Sequence, residues 1–118
     1  MDIRTRRIYQ EPSRSDGLRV LVDRLWPRGV SKEDAALDAW LKSLAPSDEL
    51  RKWFHEHPDE WSQFCARYHD ELDQQDEVVD DLLERIGEGR ATLLYASRDS
   101  EHNNAVALQS YLQHRQSD

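Results

Sequence analysis

Residues 18–29 read Leu18-Arg19-Val20-Leu21-Val22-Asp23-Arg24-Leu25-Trp26-Pro27-Arg28-Gly29 and change character half-way along. The first five residues are short, largely apolar and β-branched, the composition of a buried strand. The next seven bring Asp23, Arg24, Trp26 and Arg28 beside Pro27 and Gly29. Proline has no N–H to continue an interior ladder, and glycine permits a sharp turn. Open α/β sheets hold their ligands outside the carboxyl ends of their strands, where a buried strand passes into such a loop.

Upstream, residues 3–9 are expected to form a short strand crowded by arginines, followed by a loop with the turn signal Asp16-Gly17. That loop is too short for a crossover helix. The two flanking strands are therefore either antiparallel neighbours or not adjacent. Downstream, Ser31-Lys32-Glu33-Asp34 has the form of an N-cap and acidic first turn. Residues 37–44 fit two patterns. Leu37, Trp40, Leu41 and Leu44 make a helical stripe, while a strand from about Trp40, the favoured reading, would lead into a βα junction at Pro46-Ser47.

Ser47 is expected to cap a helix carrying Leu50, Trp53 and Phe54 on one face. His57-Pro58 should end it, with Pro58 first in the next helix. There Trp61, Phe64, Cys65, Tyr68 and Leu72 form an amphipathic stripe. A further helix carries Val78, Val79, Leu82, Leu83 and Ile86 and stops at Gly87. Residues 91–96 read as a second confident strand, and a last helix is expected from about Glu101, with Ala105, Leu108 and Leu112 inward and a fraying polar tail after His114. The expected fold is α/β: a small, mostly parallel sheet of three to four strands covered by about five helices, in a single three-layer domain spanning residues 1–118.

Composition narrows the class. The 118 residues are 37% apolar and 34% charged, a lean core that four Trp, four Tyr and two Phe reinforce. One cysteine rules out an internal disulfide framework and fits a reducing compartment. There is no apolar run of membrane-spanning length, and Met1 to Arg7 lacks the apolar segment of a signal peptide, so a cytoplasmic protein is expected. The net charge of −8 is uneven: residues 1–32 carry eight Lys/Arg against four Asp/Glu, and the remainder eight against twenty. An acidic total argues against nucleic acid as a partner, and the helices of the 58–87 region carry the wrong sign for a recognition helix. The basic quarter leaves room for a small anionic ligand, or for docking on the acidic helices of the same chain.

Several strings resemble the DUF488 (YeaO-like) family of small bacterial proteins. They are Asp16-Gly17 through the Asp23–Gly29 string DRLWPRG, then Trp40-Leu41-Lys42 through Ala45-Pro46-Ser47, and Leu50-Arg51-Lys52-Trp53-Phe54. Trp61, Phe64, Tyr68, Glu71 and Leu72, then Leu93-Leu94-Tyr95-Ala96 and Asn104-Ala105, complete them. The resemblance implies one α/β domain of uncharacterised biochemistry. It implies no reaction, so no catalytic role is carried over.

The three candidate strand ends share a chemistry. The first ends in Asp23-Arg24 with Trp26 and Arg28. The second ends in Pro46-Ser47 with Arg51 a turn beyond. The last ends in Ser97-Arg98-Asp99 with Asn103 and Asn104 at a helix start. Arginines grip anions bidentately and helix N-termini attract them. Arg24, Trp26, Arg28, Ser47, Arg51, Arg98 and Asn104 are therefore the expected ligand-binding residues, for a phosphate- or nucleotide-like anion with Trp26 stacking on a ring. The structural counterpart is that Asp23, Arg24, Arg28, Arg98 and Asp99 pair with one another to tie down loops. Asp23 and Asp99 are the candidates for an acid/base pair.

No metal site is expected from His55, His57, Asp59 and His69, because they straddle a proline break. Cys65 reads as core, and Glu71 as an ion-pair partner of Lys52 or an N-terminal arginine. The sequence has no G-x-G-x-x-G, P-loop or G-x-S-x-G, and it assigns no cofactor and no oligomeric state. The alternative to ligand binding is a non-enzymatic protein–protein interaction module, with Trp26, Arg24 and Arg28 of loop 23–29 as its hot spot.

Overall fold

The computed structural model describes residues 1–116. Four parallel strands, β1 (Asp2–Arg7), β2 (Leu18–Leu21), β3 (Ala39–Trp40) and β4 (Arg90–Tyr95), form one sheet in the order β1-β4-β2-β3. β4 pairs with both β1 and β2, Ala91 standing opposite Ile3 on one side and Leu18 on the other. The first two strands are thus parallel and not adjacent. Residues 8–17 cross β4 between them with only a 3-10 turn at Arg14–Asp16.

Strand alternation divides the core. Ile3, Val20, Val22, Leu93 and Tyr95 belong to the larger cluster, which is covered by α2 (Asp48–Glu56), α3 (Trp61–Leu72), α4 (Asp76–Ile86) and α5 (Asn104–Gln116). Leu21 and Leu94 belong to a smaller cluster with Ile8, Ala35, Trp26 and Trp40. It lies under a thin layer made by the segment after β2 and the one-turn helix α1 (Lys32–Ala35). Below it, that face is polar. Asp16 accepts from Arg6 at 2.8 Å and from Arg19 at 2.5 Å, and its carbonyl accepts the Thr92 hydroxyl at 2.7 Å. Arg19 also donates to Ala35 O at 2.8 Å, which holds the end of α1. Gly17 is required here: its φ is +67°, and a Cβ would lie 2.2 Å from Arg90 O.

The disputed segment 37–44 resolves into the two-residue strand β3 and a 3-10 turn at Lys42–Leu44, so the helical stripe is not used. Asp38 N donates to Arg19 O, Asp38 Oδ2 accepts from Arg19 N, and Leu41 N donates to Leu21 O, which pulls the chain out along β2. Two helix starts differ from expectation. Pro58 is not the first residue of α3: Glu60 N donates to His57 O, and this turn delays the helix to Trp61. The last helix starts at Asn104, not Glu101: Asn103 is its cap, its Oδ1 accepting the Val106 N–H at 3.0 Å and its carbonyl the Ala107 N–H, while the Asp99 carboxylate closes a separate turn on the N–H groups of Glu101 and His102. The expected fraying after His114 does not begin there. Helix α5 continues to Gln116, with Arg115 paired to Asp76 and Asp80 at 2.9 Å, and positions 117–118 lie outside the described residues.

Candidate functional site

Parallel pairing brings the carboxyl ends of β2, β3 and β4 to one edge, and there a cleft of about 770 Å³ opens. Its walls come from the loop after β2, the segment entering α2, and the loop between β4 and α5. Arg24, Trp26, Arg28, Arg51, Asn104, Asp23 and Asp99 all line it. Arg98 is exposed and does not. Ser47 does not line it either, because its hydroxyl donates to Glu71 Oε2 at 2.6 Å and accepts the Leu50 N–H as the N-cap of α2. Ser47 N donates to Glu71 Oε1 at 2.8 Å. Glu71 therefore ties α3 to the start of α2 rather than pairing with Lys52 or an N-terminal arginine. That tie supports Arg51, whose N–H closes the first turn on Ser47 O.

The arginines keep most of their donor capacity. Arg24 reaches Pro46 O at 3.4 Å and Asp48 at 3.8 Å, and Arg51 reaches the same Asp48 oxygen at 3.9 Å. Arg28 has no hydrogen bond or ion pair with any described residue. The anticipated pairing of Asp23, Arg24, Arg28, Arg98 and Asp99 with one another does not form.

The two carboxylates differ sharply. Asp23 Oδ2 accepts the Ala96 N–H at 2.9 Å and Oδ1 accepts the Asn104 amide at 2.9 Å. Burial pushes its carboxyl above the usual range, against those two hydrogen bonds. Asp99 is exposed, and the backbone N–H groups of Glu101 and His102 hold its carboxyl below that range. With one oxygen on His102 Nδ1 at 3.1 Å as well, Asp99 serves its own loop. Beside Asp23, Tyr68 is fully buried and donates to Leu44 O; burial, and then the nearby Asp23 and Glu71 charges, lift its phenol well above normal.

Trp26 is half-buried. Its indole N–H donates to Val30 O at 2.7 Å, and its ring meets Trp40 edge-on at 5.3 Å. Much of the ring belongs to the smaller core, and the exposed apolar group of the loop is Leu25, at 68%. Sequence reasoning missed Tyr9, Phe54, His55, Pro58 and His102, which also line the cleft. Phe54 and Phe64 stack at 4.5 Å and present one edge of the core to it. The apolar stripes that marked them as core do not reveal where that core reaches a surface. Cys65 packs against the larger core, where burial raises its thiol. His57 stacks on Trp53, and among the described residues no group of three His, Cys, Asp or Glu is placed to hold a metal ion.

A family model described as "Inactive DUF488-N3 subclade" matches residues 2–118. The chain belongs to the DUF488 family. It is 41% identical over 112 residues to "Uncharacterized protein YeaO" of Escherichia coli K12, covering 95% of this chain and 97% of that one. It is 36% identical over 113 residues to "Uncharacterized protein Rv3073c" of Mycobacterium tuberculosis H37Rv, covering 96% and 95%. No solved structure matches. In this DUF488 chain the DRLWPRG string runs from the end of β2 along the cleft, with Asp23 through Arg28 all lining it. No helix among the described residues is long and apolar enough to cross a membrane.

Proposed function

We propose that this chain binds a small phosphate-bearing anion in the cleft at the carboxyl edge of its sheet. The observation that carries this is the convergence of Arg24, Arg28 and Arg51 on one cleft, with Arg28 free of any partner among the described residues. Guanidinium groups held by separate segments match phosphate oxygens through charge-assisted, bidentate hydrogen bonds. The word "inactive" in the family's description fits a site that binds without turnover, and so does the commitment of Asp99 to its own loop.

The test is a binding titration of the full chain with inorganic phosphate and pyrophosphate, followed by melting temperature and calorimetry. A ligand selective for the folded state raises the melting temperature. Arg28→Ala should weaken binding about tenfold, the loss of roughly one charge-assisted contact. Unchanged affinity in that variant would remove the anion site from this cleft.

The second reading, a protein–protein interaction module built on loop 23–29, is favoured by one observation. Leu25 and Tyr9, 68% and 45% exposed, stand on the rim of the same cleft. Its anchor is then Leu25 rather than the half-buried Trp26. A partner captured by the native chain and lost on Leu25→Arg, with no response to anions, would favour this reading over the first.

A further inference from the structure

The cleft's lining also carries a group of opposite sign. Asp23 is half-buried in it, whereas the side chains of Arg24 and Arg51 are 40% and 55% exposed. Neither oxygen of Asp23 meets a cation among the described residues: Oδ2 holds only the Ala96 N–H and Oδ1 only the Asn104 amide. A carboxylate has about four acceptor positions, so roughly two remain for a ligand. Trp26, Pro27, Phe54 and Pro58 add apolar surface to the same lining. The cleft's 770 Å³ falls within the roughly 300–1,000 Å³ of sites that take whole organic ligands, far more room than one phosphate needs.

A ligand that is purely anionic would meet repulsion from Asp23. One that brings hydrogen-bond donors to that end recovers the desolvation of the carboxylate. We infer that the ligand is bipolar: a phosphate monoester held by Arg24, Arg28 and Arg51, whose body spans the apolar wall and presents hydroxyl or amino donors to Asp23. A nucleoside monophosphate has this chemistry and size. The inference rests on the anion-binding reading and adds a role for Asp23, recognition of donors at the far end of the ligand.

The experiment compares three probes on the native chain: inorganic phosphate, phenyl phosphate and adenosine 5′-monophosphate. Phenyl phosphate shares the phosphate and a flat ring but has no donor at the far end. Adenosine monophosphate should bind at least tenfold more tightly than phenyl phosphate, and equal affinities would overturn the role of Asp23 without any variant being made. Asp23→Asn keeps an acceptor for the Ala96 N–H. It should erase that preference while leaving inorganic phosphate as tight as before or tighter. Persistence of the tenfold preference in Asp23→Asn would also overturn the role. Failure of all three probes to respond to Arg28→Ala would instead defeat the underlying anion site, so the two failures are distinguishable.

Discussion

The tie between Ser47 and Glu71 offers the sharpest test of how the cleft is held. Glu71 accepts both the N–H and the hydroxyl of Ser47, at 2.8 and 2.6 Å. Hydrogen bonds to a charged acceptor contribute about 1.5–3 kcal/mol each, toward the lower end here because Glu71 is only half-buried and water can replace part of the loss. Glu71→Ala should therefore cost about 2–4 kcal/mol. A chain of this length has on the order of 6–18 kcal/mol of stability in all, so the loss is a large fraction. Ser47→Ala removes the hydroxyl bond to Glu71 and the cap on Leu50 N–H, the cap alone being worth about 1 kcal/mol. The backbone N–H bond to Glu71 survives in that variant. The two single losses should overlap by about 1–2 kcal/mol in a double-mutant cycle. Urea denaturation of the native chain, both single variants and the double variant measures this directly. A coupling below about 0.5 kcal/mol would refute the reasoning, since it would mean that Ser47 and Glu71 contribute independently.

Two further outcomes follow from the polar face of the sheet. Burial raises the Asp16 carboxyl, but the Ser13 N–H and the Arg6 and Arg19 guanidinium groups outweigh it, and the net shift is downward. A depressed folded value means that the contribution of Asp16 is complete above the unfolded value, near 3.9, and is lost as pH falls through the folded one. Asp16→Asn should cost about 3–5 kcal/mol at pH 7 by leaving buried Arg19 without its charge partner. The gap to the native chain should narrow as pH falls below the unfolded value and through the depressed folded one, and a gap that stays constant with pH contradicts the assignment. Gly17→Ala should cost about 3 kcal/mol or more in thermal or urea unfolding, because backbone strain adds to the overlap with Arg90 O. A loss below about 1 kcal/mol would show that the crossover segment shifts freely.

Much of the fold was legible because its signals are local. The short apolar runs in Leu18–Leu21 and Arg90–Tyr95, the Ser31 and Ser47 caps and the stop at Gly87 each depend on a few neighbouring residues. These are set by strand and helix periodicity and by backbone φ. The exceptions lie where a distant group competes. Pairing to Arg19 and Leu21 pulled residues 38–41 away from their helical stripe, and Glu71 drew the Ser47 hydroxyl away from the cleft.

By itself the sequence determined the class of element at most positions, the family through its DRLWPRG string, and the strand end at which charged residues gather. Only the tertiary structure decided that β4 lies between β1 and β2, that Glu71 holds Ser47 and that, among the described residues, half-buried Asp23 meets no cation while Arg28 stays free. The physical reason is the same throughout. Periodicity specifies which face of an element is apolar, but an ion pair or hydrogen bond is chosen by which groups packing brings within about 3 Å. In a chain where a third of the residues are charged, many pairings are equally plausible in sequence, and packing selects among them.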